Sequence, residues 1–113
     1  MPSWEDVVAI GLELPEVEEA TWNGTPSLKV GGKSFARLRD EDGLCVLMVD
    51  MLEREALIQS DPDAYLVTPH YQDYPAMLVN LDRVDPEELR EQVIEAWRRK
   101  ASKRLIAAWE AGT

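Results

Sequence analysis

Cysteine, histidine and phenylalanine each occur once in these 113 residues, and no apolar run approaches the roughly eighteen residues needed to span a bilayer. One thiol cannot close a disulfide within the chain, and one His with one Cys in unrelated segments cannot furnish the three or four ligands of an ordinary transition-metal site. No metal or other cofactor is therefore expected. The glycines at 24, 31 and 32 fit turns and lack the spacing and following helix of a phosphate-cradling loop. A nucleophile elbow is also missing, so catalysis finds little support and a non-enzymatic protein is expected. The opening Met1-Pro2-Ser3-Trp4-Glu5-Asp6 has neither a basic region nor a signal-like apolar stretch, which with the lone Cys45 inside the apolar run 44–49 leads us to expect a cytoplasmic protein away from membranes.

What the chain has in excess is acid: 22 Asp plus Glu against 12 Lys plus Arg, a formal net charge of −10. The length suits one domain over residues 1–113, and 45% apolar residues suffice for one core without a staple. Ser3 and Asp6 form a capping-box pattern before Trp4, Val8 and Leu12, which recur at helical spacing until Pro15. Short runs rich in β-formers follow at 19–22, 27–30 and 33–38, with turns expected at 23–26 and at the Gly31-Gly32 pair, a tight-hairpin signal. The acidic 40–43 turn leads into 44–49, whose lack of alternation indicates a central strand. A short helix over 53–60, a strand at 65–68, a loop over 69–75 and a strand at 77–81 come next. From Asp85-Pro86 the stripe Leu89, Val93, Trp97, Ala101, Leu105 and Trp109 marks helix to the end, as one helix or as two divided at Ser102. This order predicts an α+β domain, with helices packed on one face of an antiparallel sheet.

Several stretches taken together then carry a family likeness: Leu14-Pro15-Glu16-Val17, Gly24-Thr25-Pro26, Gly31-Gly32-Lys33-Ser34-Phe35-Ala36-Arg37-Leu38, Val67-Thr68-Pro69-His70-Tyr71, Tyr74-Pro75 and Ala96-Trp97 before Lys103-Arg104-Leu105. Along nearly its whole length the chain resembles the MmcQ/YjbR family. The resemblance implies a bacterial cytoplasmic protein with a CyaY/frataxin-like fold and a label of DNA binding. Two departures stand out. Ala76 replaces a bulky aromatic common after Tyr-Pro, which would remove part of a ligand-facing surface. Ser102 replaces a frequent proline, which would let the last helix run on.

The bases are segregated. Residues 24–39 hold Lys29, Lys33, Arg37 and Arg39 and no acid, residues 98–104 hold five bases, and 40–97 hold fifteen acids against three arginines. On a regular strand Lys33, Phe35, Arg37 and Arg39 share one face, an arrangement suited to phosphate contact plus base stacking. The alternative is that Phe35 plugs the core through a bulge and the arginines are solvated. Arg99, Lys103 and Arg104 form a second patch, equally readable as solvated helix surface. His70, of the residue type that titrates near neutrality, sits with Tyr71 and Tyr74 between Pro69 and Pro75, where the three would line a pocket or simply pack on the sheet. The leading expectation is weak, salt-sensitive, non-sequence-specific DNA binding through Lys29, Lys33, Phe35, Arg37, Arg39, Arg99, Lys103 and Arg104. Two other classes stay open: a protein-partner or small-ligand module around His70, Tyr71, Tyr74 and the basic strand face, and a metal-binding acidic ridge of Glu5, Asp6, Glu13, Glu16, Glu18 and Glu19.

Overall fold

The Gly31-Gly32 pair adopts φ of 58° and 80°, the positive values that a two-residue hairpin turn demands, and it joins β2 (Thr25–Val30) to β3 (Lys33–Arg39). The computed structural model describes residues 2–22, 24–39 and 43–112, with the backbone but not the side chain of Trp22. Asn23 and the acidic Asp40-Glu41-Asp42 stretch of the expected turns lie outside the described residues. β1 (Val17–Trp22) pairs with β2, and β3 with β4 (Leu44–Met48). β6 (Ala76–Asn80) joins β4, with the two-residue β5 (Tyr65–Leu66) at the edge. The result is a six-stranded antiparallel sheet in the order β1-β2-β3-β4-β6-β5. β4 is central, and Cys45, Val46 and Leu47 are all buried.

All four helices contribute to one cluster on one sheet face, as the element order predicts. α1 (Trp4–Leu12) supplies Val7 and Ile10, and α3 (Pro86–Lys100) supplies Leu89, Val93, Ala96 and Trp97. Leu57 and Ile58 of α2 (Met51–Ser60) and Leu105, Ile106 and Trp109 of α4 (Lys103–Ala111) pack around them. Leu28, Cys45, Leu47, Met77 and Val79 meet them from the sheet. The fully buried Trp97 also donates its indole N–H to the Pro15 carbonyl at 3.3 Å. Burial pushes the Cys45 thiol up to about 12, so it behaves as a core hydrophobe.

Local details depart from the expected pattern for identifiable reasons. α1 turns Val7, Ile10 and Gly11 inward and leaves Leu12 49% exposed, because Gly11 lets the helix close on Leu28: a Cβ there would stand 2.6 Å from its Cδ1. α2 begins two residues early, since the Asp50 carboxylate accepts from the amides of Leu52 and Glu53. The last helix does not run on. Ala101 takes an extended conformation and the Ser102 hydroxyl accepts from the Leu105 amide at 3.1 Å, capping α4 as a separate element. Trp109 then folds back on Trp97, with ring centroids 5.3 Å apart, while Arg98 ion-pairs with Glu110 and lies over the Trp109 ring.

Candidate functional site

A bulge in β3 rearranges the expected basic face. Leu28 pairs with Ala36 but Lys29 pairs with Ser34, so Phe35 has no partner opposite and is inserted fully into the core. Phe35 is thus unavailable for stacking on a base, and the extended-strand reading of Lys33, Phe35, Arg37 and Arg39 as one face fails at that residue. The side of the sheet away from the helices carries Arg37 opposite Ser27 and Val46, and Arg39 opposite Leu44. Lys29 is half-buried opposite Glu18 and Ser34.

Where β3 begins and β4 ends, the surface opens into a cleft of about 380 Å³. Its floor is apolar, Val46 and Met48, and Ala36 borders it while packing in the helix-side core. Tyr71, Tyr74 and Ser34 wall it. Its titratable rim apart from the tyrosines is Lys33, Arg37, His70 and Lys100, with no carboxylate among the described lining residues. Residues from the β3 hairpin, the 69–75 loop and the end of α3 therefore converge: the His-Tyr-Tyr loop meets Lys33 and Arg37 of the basic strand, the grouping of the small-ligand expectation, and Lys100 joins them. Arg99, Lys103 and Arg104 do not line the cleft; Arg99 stands 3.9 Å from Asp50, and Lys103 and Arg104 are exposed on the first turn of α4. Ala76 is not ligand-facing either, being buried against Val46 and Leu78.

The tyrosine wall is held by a residue that the charge pattern concealed. Arg54 on α2 is only 3% exposed. Its Nη1 donates to the carbonyls of Tyr71, Tyr74 and Ala76 at 3.0–3.1 Å, and its Nη2 donates to that of Gln72 at 2.9 Å. The carbonyl dipoles take the place of a counter-ion, since Arg54 makes no ion pair among the described residues. The 69–75 loop begins with a 3-10 turn, Pro69–Tyr71, in which the His70 and Tyr71 rings meet edge to face at 4.7 Å. Arg54 was hidden because an arginine among Glu53 and Glu55 reads as helix surface. Only the four converging carbonyls distinguish it.

The cleft's cations are not neutralised by the fold. Among the described residues, the side chains of Lys33, Arg37 and Lys100 make no ion pair, and the buried Nε of Arg37 has no hydrogen-bond partner. Like charges around a concave apolar floor repel one another until an anion enters, which is the electrostatic setting of a binding site rather than a fold-stabilising contact. The acidic ridge assembles no comparable centre: no group of three or more Asp, Glu, His or Cys side chains comes within metal-holding reach among the described residues. No helix of the described residues is long and apolar enough to cross a membrane.

Comparison with known proteins agrees with this architecture. The chain is 31% identical to uncharacterized proteins of Mycobacterium tuberculosis and Mycobacterium bovis, with 100% of this chain and 99% of theirs aligned. The crystal structure of a Deinococcus radiodurans protein of the DUF419 domain family superposes with a TM-score of 0.75 at 25% identity, covering 86% of this chain and 77% of that one. The YjbR family model matches residues 12–99, spanning β1 to the end of α3 with every cleft-lining residue except Lys100, and the chain belongs to the YjbR family.

Proposed function

We propose that the protein is a non-enzymatic binder of a small anionic ligand, taken up in the cleft between the β3 hairpin, the 69–75 loop and the end of α3. The observation that carries this reading is the unneutralised set of Lys33, Arg37 and Lys100 around the floor of Val46 and Met48. A cleft of about 380 Å³ falls within the size range of small-molecule sites. The absence of catalysis is supported by His70, whose ring packs on Tyr71 with no carboxylate among the described cleft residues to orient it, and by a Cys45 thiol that is wholly buried. Titration of the isotopically labelled protein with millimolar phosphate, citrate and adenosine 5′-monophosphate should shift the amide resonances of Ala36, Val46 and Met48. Unmoved resonances with all three anions would refute the reading.

Weak DNA binding is the second reading, favoured by the continuation of bases beyond the cleft at Arg99, Lys103 and Arg104. If a strand lay on Lys33, Arg37 and Lys100 alone, the three phosphate contacts would give a log–log salt slope of about −3 for duplex DNA. The net charge of −10 opposes long-range attraction of any longer polyanion. Anisotropy of a labelled duplex at low salt tests it, and flat traces dismiss it without touching the small-ligand reading.

A further inference from the structure

Resting on the small-anion reading of the cleft, we infer that its ligand class is a phosphate monoester joined to a flat ring, of which a nucleoside 5′-monophosphate is the natural example. Charge sets the first half of this inference. Three fixed cations, Lys33, Arg37 and Lys100, surround the site with no acid among its described lining residues, which matches a group carrying close to two negative charges better than a single carboxylate. Donor geometry agrees. The Nε of Arg37 is buried and unpartnered, so a small movement of the guanidinium toward the cleft would present Nε and one Nη side by side to two oxygens of one phosphate, and Ser34 lines the same cleft. The lysine ammoniums add point charges with freely rotating donors.

The second half comes from the surfaces that are not charged. Val46 and Met48 offer an apolar floor, and Tyr71 and Tyr74 offer ring faces or edges beside it. Tyr74 is 61% exposed, so its ring is open to stacking by a flat partner. Arg54 fixes the backbone carbonyls on both sides of Tyr74, so the wall is pre-organised and little ordering entropy is lost when a ring enters. A bare phosphate would use the cations and ignore this apolar surface. A free nucleoside would do the reverse. Only a ligand with both parts uses the whole cleft.

The test is calorimetry at moderate ionic strength with adenosine 5′-monophosphate, phenyl phosphate, adenosine and inorganic phosphate, together with a 5′-phosphorylated single-stranded oligonucleotide. Both ring-bearing monoesters should bind at least tenfold more tightly than adenosine or inorganic phosphate. Arg37→Gln should lower their affinity at least tenfold while the melting temperature of the free protein stays in place. Tyr74→Ala should weaken the ring-bearing monoesters severalfold and leave inorganic phosphate unaffected. Equal affinity for inorganic phosphate and the monoesters overturns the ring half of the inference, and equal affinity for adenosine overturns the phosphate half. Binding of the oligonucleotide without the monoesters overturns the inference and points to the nucleic-acid reading. Failure of all anions to move the cleft resonances, by contrast, removes the parent reading itself.

Discussion

Among the described residues, two hollows of comparable size invite comparison, the basic cleft at the start of β3 and a groove of about 490 Å³ between α1 and the start of α3. The groove is acidic, lined by Asp6, Glu13 and Glu87 with Arg90. Its charges, however, are already employed. Asp6 accepts from the Ser3 amide at 2.8 Å and closes the capping box of α1. Glu13 meets Arg90 at 3.0 Å, and Glu87 stands in the first turn of α3, where a carboxylate suits the helix dipole. In the cleft the corresponding side chains have no such employment. Local charge density therefore does not separate a functional hollow from a structural one; unpaired charge against an apolar floor does.

Removing the Arg54 clamp should break the contrast most severely. Arg54→Met would leave four carbonyls of the 71–76 segment without their charged donor, at a cost of about 3 kcal/mol in chemical denaturation, together with loss of anion binding. Arg54→Lys, with three donors in place of a planar fork, should recover part of the stability and less of the binding. Undiminished binding in Arg54→Met would show that the tyrosine wall is not part of the site.

Lys33→Glu is a subtler test, since it puts a carboxylate where the described lining has none. The exposed position should hold stability within about 0.5 kcal/mol, while anion affinity falls about tenfold or more. A variant that binds anions as well as the parent would make the basic rim ordinary surface. The smallest effect belongs to the acidic groove. Arg90 beside Glu13 holds that carboxyl below its usual range, so the pair's contribution is present above the unfolded carboxylate pKa and fades as pH falls through the lower, folded value. Arg90→Ala should consequently alter only the acid limb of a stability–pH profile, and only slightly, because both partners are more than half exposed. It should leave ligand binding untouched, and any loss of affinity would erase the distinction between the hollows.

Much of the architecture was legible from local signals. The Gly31-Gly32 turn, the unbroken apolar run of β4 and the Asp85-Pro86 helix start all depend on neighbours within a few residues, and each appears in the fold. Packing decided the rest. Of the two readings of Phe35 the bulged one is realised, because its ring has a place in the core, and Leu12 leaves the expected helical stripe because Gly11 sets the rotation of α1. The site was half legible. Its bases and its His-Tyr-Tyr loop were each recognisable, but 33–37, 70–74 and 100 are remote in sequence.

By itself, then, the sequence determined the fold class, the segregation of bases and the family, since periodicity, turn chemistry and motif order are properties of neighbouring residues. Only the tertiary structure decided which bases share a cleft, which carboxylates are already paired and that Arg54 faces inward. Those facts depend on distances between segments far apart along the chain, and on the burial that makes an unpaired donor costly.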